Sequence, residues 1–214
     1  MRIIAGVHRG RRLVGPKDAT TTRPITDRVK QSLFDRLWAM GVLPEDPLEA
    51  DEQPADERGL VLDLFAGTGS LGLESLSRGA GKCVFVEMDR DALHGLEQNL
   101  SALRLSDRAN VLKVNALSPG WLVHAVRKPV RIAFVDPPYA MMSEADGWER
   151  FMPLLEALAE TAEAGGVMVV RTPTPVESPE IKGWVGPTSH KYGGMKVTFY
   201  ERAGGEGGGE VSSF

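Results

Sequence analysis

The chain has 214 residues, 42% of them hydrophobic, a formal net charge of −4 and a single cysteine. That is enough apolar material for one globular domain with an appendage, and no apolar run approaches the roughly 18 residues of a membrane span, which excludes an integral helical membrane protein. One cysteine builds neither a disulfide framework nor a thiolate metal cage, so Cys83 in KCVFVE reads as a buried structural thiol, no metal is expected, and a reducing cytoplasm fits.

In chain order, residues 2–14 read as a short pair of strands around GVHRGRR, with Gly6 and Gly10 permitting turns. No apolar stretch follows this positively charged start, which predicts no secretory leader. Residues 1–40 hold nine Lys/Arg against three Asp, a surplus of six that leaves the remainder of the chain at −10. Such asymmetry fits a basic arm that meets phosphate, and it equally fits a solvated leader. Thr26 is an N-cap candidate for a helix in which Val29, Leu33, Leu37 and Met40 repeat at helical spacing. The first 40 residues are therefore expected to form a basic hairpin and helix. Residues 41–59 carry seven acids and three prolines without periodicity, predicting a flexible acidic connector.

From Leu60 the pattern alternates between strand and helix. LVLDLF, KCVFVE, ANVLKV, VRIAFVD and GGVMVVRT are apolar runs suited to strands covered on both faces, separated by helical segments. SHKYGGMKVTFYER reads as two strands joined at Gly193-Gly194. The fold class is α/β and Rossmann-like: a mostly parallel, seven-stranded, doubly wound sheet over residues 60–202 with a C-terminal antiparallel hairpin, plus the basic extension. The glycine-rich residues 203–214 are expected to be disordered.

Two motifs carry chemistry. In DLFAGTGSLG, Gly67, Gly69 and Gly72 form G-x-G-x-x-G between the first strand and the first helix of the sheet, where the backbone turns sharply and approaches a ligand. Glu87 ends the next strand 20 residues after Gly67, placed to accept ribose hydroxyls. Asn115 and Ala116 are placed to read an adenine edge, and Met88 to cover its face. The pattern alone does not separate a nicotinamide dinucleotide from S-adenosylmethionine (AdoMet), but Asp63 beside the glycine turn favours an ammonium group over a pyrophosphate. The second motif is Asp136-Pro137-Pro138-Tyr139 at the end of VRIAFVD. Two prolines cannot continue a hydrogen-bond ladder, so the stretch fixes a rigid corner with outward acceptors and a ring beside them.

The order glycine turn, Glu87, Asn115, then this tetrapeptide resembles AdoMet-dependent methyltransferases that modify an exocyclic or amide nitrogen. With RIIAGVHRGRRL and TRPITDRVKQSLFDRL added, nearly the whole chain is similar to the bacterial RsmD family of 16S rRNA guanine-N2 methyltransferases, which have the class I methyltransferase fold. The resemblance implies an AdoMet pocket lined by Asp63, Phe65, Ala66, Gly67, Gly69, Glu87, Met88, Asn115 and Ala116, with Thr22 to Arg28 folding over the cofactor. It implies catalytic roles for Asp136, Pro137, Pro138 and Tyr139. Many relatives carry Asp where this chain has Asn115, so modest weakening of adenine recognition is expected. The arm then has a use: Arg9, Arg11, Arg12 and Arg23 sit on an extension beside the crevice, placed for phosphate contacts. The expected partner is 16S rRNA, within the small ribosomal subunit or an assembly intermediate, and the expected state is a cytoplasmic monomer. An adenine-N6 DNA methyltransferase shares the tetrapeptide but would need a sequence-reading domain. A nicotinamide-dependent dehydrogenase would need a substrate domain that the chain lacks.

Overall fold

The computed structural model describes residues 1–16, 25–144 and 146–204. Seven strands form one sheet: β1 (Leu60–Leu64), β2 (Lys82–Glu87), β3 (Ala109–Lys113), β4 (Val130–Val135), β5 (Ala162–Pro173), β6 (Trp184–Tyr192) and β7 (Met195–Arg202). Their order is β3-β2-β1-β4-β5-β7-β6. The first five run parallel, and β7 lies antiparallel between β5 and β6. The chain winds outward from β1 through β3 and returns on the other side at β4. The switch point, where open α/β sheets bind ligands, therefore lies between the carboxyl ends of β1 and β4.

Side-chain alternation assigns the two faces. Val61, Phe85, Ile132, Phe134, Val167 and Val169 pack under α1 (Asp27–Ala39), α3 (Ser70–Ser77) and α4 (Arg90–Leu103), against Leu33, Phe34, Leu73 and Leu96. Leu62, Leu64, Val84, Val86, Ala133 and Val135 face the other way, against Phe151, Leu154, Leu155 and Leu158 of α7 (Gly147–Thr161). Both faces are dry, which is why the strands read as near-continuous apolar runs. Cys83 is fully buried, as its strand position predicts. Among the described residues no helix is long and apolar enough to cross a membrane, and no cluster of three or more His, Cys, Asp or Glu could hold a metal.

The amino-terminal segment does form a hairpin, though its regular pairing contracts to one antiparallel bridge between Arg2 and Arg12. Backbone bonds Ile3 N to Arg11 O and Gly10 N to Ile3 O, both 2.9 Å, hold its limbs together. Thr26 caps α1 by accepting from Val29 N, and Val29, Leu33 and Leu37 are buried while Met40 is exposed.

The stretch at 41–59, expected to be a flexible connector, is a correction: it carries α2 (Pro47–Glu52) and a 3-10 turn at Ala55–Glu57. Asp46 caps α2 by accepting from Leu48 N at 2.7 Å, Pro47 opens its first turn, and Val42, Leu43 and Ala50 are buried. Asp-Pro at the N-cap and first helical position is a helix-start signal that the acidic composition masked. Of the glycine-rich end, residues 205–214 lie outside the described residues.

Candidate active site at the carboxyl ends of the strands

Sheet register brings the motifs together. Asp63 sits level with Phe85 of β2 and Phe134 of β4, so Glu87 and Asp136, each two residues further along, share a rung on either side of the β1 exit. With neighbouring strands about 4.8 Å apart, their backbones are about 10 Å apart across the switch point. Between them the chain leaves β1 through Phe65, whose φ of +59° is unusual for a residue with a side chain, then Gly67 at +56° and Gly69 at +88°. No heavy atom lies within 4 Å of where a Cβ would stand at Gly67. A Cβ at Gly72, by contrast, would meet the Phe85 ring at 2.3 Å. The middle of the motif therefore opens the turn toward the crevice, and its last glycine lets α3 lie close on the sheet.

Two carboxylates tie the turn down. Asp63, 1% exposed, accepts from Gly72 N at 2.8 Å at the start of α3. Burial raises its pKa well above the ordinary carboxylate range, with the Gly72 N–H opposing and the charges of Asp136 and Glu87 reinforcing the rise. Glu87 accepts from Gly67 N at 2.8 Å through Oε2, and from Met88 N at 2.7 Å and Asp89 N at 2.9 Å through Oε1. With two N–H bonds on Oε1 and one on Oε2, Oε2 keeps a lone pair free, and the residue is partly exposed at the crevice edge. Met88 is 63% exposed. Beyond β3, Asn115 is exposed and its Oδ1 accepts from Leu117 N at 3.0 Å, closing a local turn with buried Ala116 inside it.

On the far side, Asp136 N donates to Leu64 O at 3.3 Å, stitching the tetrapeptide to the end of β1. Pro137 is buried, and Pro138 stands before the short α6 (Tyr139–Ser143). The first bond of that helix runs from Met141 N to Pro138 O at 3.0 Å. The Pro137 carbonyl is thus not consumed by this helix start. Tyr139 is partly buried and packs against the α1–α3–α4 side of the core.

Sequence reasoning missed Arg171. It comes from β5, is 8% exposed, and its Nε stands 2.5 Å from Asp136 Oδ1, close enough for a hydrogen bond though not aligned as one. Its guanidinium also lies 5.8 Å from the Tyr139 ring centroid. An arginine ending the apolar run VMVV was the available signal, since charges seldom enter such strands unpaired. Asp136 has its pKa raised by burial, with the Arg171 charge working against that rise.

The tip of the basic arm lies away from the crevice that it was expected to adjoin. Lys30 Nζ reaches Arg2 O at 2.7 Å and Ser70 Oγ at 3.4 Å at the crevice end of α3, but Val7 N bonds Ser77 O at 2.9 Å at the opposite end. Arg11 donates to Ala102 O at 3.1 Å near the end of α4. Helices that start at the strands' carboxyl ends finish at their amino ends. The hairpin tip with Arg9 and Arg11 is therefore about 12 Å, the length of α3, from the glycine turn. Arg9, Arg11 and Arg12 are all exposed. The return limb comes back to the crevice at Val14, whose N donates to Asn99 Oδ1 at 2.7 Å while Asn99 Nδ2 donates to Thr68 O at 2.9 Å. Arg23 lies outside the described residues, as do Thr22 and Pro24 of the Thr22–Arg28 stretch.

A cavity of about 620 Å³ lies at the opposite, amino ends of the strands, lined by Lys82, Arg108, Arg127, Lys128 and Arg131 among others. Arg131 is paired with Glu163 at 2.6 Å, and Arg108 donates to the carbonyls of Gly81, Leu76 and Ala80. Those bonds close the bottom of the sheet, and none of the residues predicted for the site reaches it.

The family described as conserved hypothetical protein 95, the RsmD family, matches residues 1–201. The chain belongs to this family. Among RsmD-family relatives, YlbH of Bacillus subtilis is 34% identical over 210 residues, covering 95% of this chain and all of that one. Ribosomal RNA small subunit methyltransferase D of Escherichia coli K12 is 40% identical over 139 residues, covering 65% of this chain and 60% of its own length. In three dimensions the E. coli protein yhhF superposes with a TM-score of 0.72 at 30% identity, covering 96% of this chain and 99% of that one. TTHA0928 of Thermus thermophilus gives 0.68 at 28%, covering 93% and 98%. The fold expected from the sequence, a class I methyltransferase sheet, is the one observed.

Proposed function

We propose that this chain transfers a methyl group from AdoMet to the exocyclic N2 amine of a guanine in 16S rRNA of the small ribosomal subunit. The observation that carries the reading is the rigid Asp136-Pro137-Pro138-Tyr139 corner, stitched to the end of β1 and facing the open glycine turn across the switch point. The open space over Gly67 and the partly exposed Glu87 carboxylate fit a nucleoside ligand, and the E. coli relative is named as a small-subunit rRNA methyltransferase. Glu87 would receive ribose hydroxyls, Met88 and Asn115 would border the adenine, and Asp63, Phe65, Ala66, Gly67 and Gly69 would form the floor. When bound, AdoMet supplies an electrophilic methyl carbon on a sulfonium.

The chain's own residues supply alignment and charge. A guanine amine is a poor nucleophile because its lone pair is delocalised into the ring. The Asp136 carboxylate and the Pro137 carbonyl accept its two N–H bonds, favour a pyramidal nitrogen, and stabilise the positive charge it acquires, after which the methylated nitrogen sheds one of those protons to solvent. Tyr139 stacks on the base once it is drawn out of its helix or loop. Much of the acceleration is positional. The deciding experiment incubates the protein with methyl-labelled AdoMet and small subunits from cells that lack this modification, then identifies the labelled nucleoside. Label in N2-methylguanosine is the expected result; label in another nucleoside, or none, ends the guanine reading.

Arg9 and Arg11 at the hairpin tip, one helix length from the chemistry, and Arg12 on the limb that returns toward it extend this proposal to the flank. Their joint replacement by Ala is expected to weaken rRNA binding and to lower the slope of log affinity against log salt by about 0.7–0.9 for each phosphate no longer neutralised. Since Ile3 and Leu13 carry the hairpin's packing, the melting temperature should hold. An unchanged salt slope would return these arginines to a solvated surface role.

A further inference from the structure

We propose that Arg171 is the positioning residue of the transfer site, its guanidinium holding Asp136 by Oδ1 and Tyr139 by its ring face so that acceptor and stacking surface meet the base in one fixed arrangement. The inference rests on the methyl-transfer reading and adds a residue from a strand outside both motifs.

Register delivers the contact. Val135 of β4 pairs with Val170 of β5, so the next residues, Asp136 and Arg171, emerge side by side at the sheet's carboxyl end. Alternation places Arg171 on the same face as Val167 and Val169, and Asp136 on the same face as Ile132 and Phe134. Arg171 is 8% exposed at the end of the apolar run VMVV, and its charge carries a desolvation cost of several kcal/mol unless opposite charge offsets it. Its ion pair with Asp136 at 2.5 Å is such an offset, and the ring of Tyr139 at 5.8 Å is a second.

The division between the carboxylate oxygens matters. Oδ1 is buried on the Arg171 side, while the Asp136 side chain as a whole keeps 17% exposure. That leaves Oδ2 as the oxygen offered to an incoming amine. One cation thereby fixes the carboxylate's rotation without blocking the acceptor. It also fixes the ring that would stack on the same base, coupling two features of the tetrapeptide that the backbone alone would leave independent.

Arg171 has an electrostatic duty as well. The charges interacting with Asp136 are Arg171 of β5 and Asp63 of β1, with Tyr139 of α6 beside Arg171 and Glu87 of β2 acting on Asp63. Burial pushes the Asp136 carboxyl toward its protonated, non-accepting form, and Arg171 is the cation that opposes this. Without it the protonated form should persist to higher pH.

The test compares Arg171→Met and Arg171→Lys with the wild type in three measurements: the pH dependence of kcat, AdoMet affinity by calorimetry, and the titration of the Asp136 carboxyl carbon by NMR, its signal assigned by its loss in Asp136→Asn. In Arg171→Met we expect kcat to fall about tenfold or more, with AdoMet affinity within about twofold. The acid limb of kcat and the Asp136 titration should move together to higher pH by about one unit or more. Arg171→Lys restores the charge but not the flat guanidinium over Tyr139, so both curves should return toward wild type while kcat stays several-fold low. Wild-type kcat and titration in Arg171→Met overturn the inference. If that variant does not fold, Arg171→Lys decides alone: unchanged kcat, or an Asp136 titration displaced despite the retained charge, overturns it. Methyl transfer at full rate by Asp136→Asn would instead remove the underlying reading of the tetrapeptide. An inactive Asp136→Asn beside an unaffected Arg171→Met would leave that reading intact and dismiss Arg171.

Discussion

Alanine at position 136 is expected to reduce methyl transfer by about 10²–10³-fold while leaving AdoMet affinity within about twofold. The asymmetry follows from where the carboxylate stands. The candidate cofactor floor is built from β1, the glycine turn and Glu87, held by bonds in which Asp136 has no part: Gly67 N to Glu87 at 2.8 Å and Gly72 N to Asp63 at 2.8 Å. Asp136 belongs to the other wall, where its backbone is tied to Leu64 and its side chain to Arg171. Removing the carboxylate therefore deletes an acceptor whose worth grows as positive charge develops on the attacking nitrogen, which lowers kcat rather than affinity. It also leaves the Arg171 charge without its carboxylate, so some loss of stability should accompany the loss of rate. Asparagine separates the two effects, because it keeps the shape and one acceptor oxygen but removes the charge. Its rate should fall between alanine and wild type. Equal rates for all three would mean that the tetrapeptide does not meet the reacting nitrogen. A parallel collapse of AdoMet affinity would mean that the two walls are not independent.

How much of this was legible in the sequence depends on the range of the interaction. The parallel strands were legible because burial on both faces leaves apolar runs such as LVLDLF and VRIAFVD, a local signature. The glycine turn and the tetrapeptide were legible because backbone constraints are written in Gly and Pro. Residues 41–59 were misread because composition was weighed above a two-residue signal: Asp46-Pro47 starts a helix however acidic its surroundings. The arm's charge was legible but its direction was not. Contacts that lay it along α3, such as Ile4 N and Ala5 N to Glu74 at 2.9 and 3.0 Å, join residues about seventy positions apart. Arg171 falls between these cases. Its oddity was visible in GGVMVVRT, but its partner depends on the β4–β5 register, which no local pattern specifies.

The same long-range contacts predict the second large effect. Glutamine at position 74 is expected to lower stability by about 3–5 kcal/mol. Lys30 and Glu74 side chains are both 0% exposed, with Nζ 3.2 Å from Oε2, and Arg78 Nε stands 2.9 Å from Oε1. Each oxygen also takes a backbone N–H, Oε2 from Ile4 and Oε1 from Ala5. Whichever oxygen becomes an amide NH₂ in Glu74→Gln, one buried cation and one backbone donor lose their acceptor together. The loss has a pH signature that a packing defect lacks. Burial already lowers the Lys30 pKa from 10.5, with Glu74 the largest opposing influence. Without that carboxylate the folded pKa falls further. The unfolded chain then binds more protons over a wider interval below 10.5, so stability rises with pH across it. Urea unfolding at about pH 7 and about pH 9.5 should therefore show the variant's deficit shrinking at the higher pH. A deficit under about 1 kcal/mol, or one indifferent to pH, would show that the triad is not what fastens the arm. Because Ile4 and Ala5 are fastened by this carboxylate, the hairpin should be the first part of Glu74→Gln to open. Protease cleavage within residues 1–16 should then precede global unfolding, whereas cleavage that appears only with global unfolding would place the arm's anchorage in Ile3 and Leu13 instead.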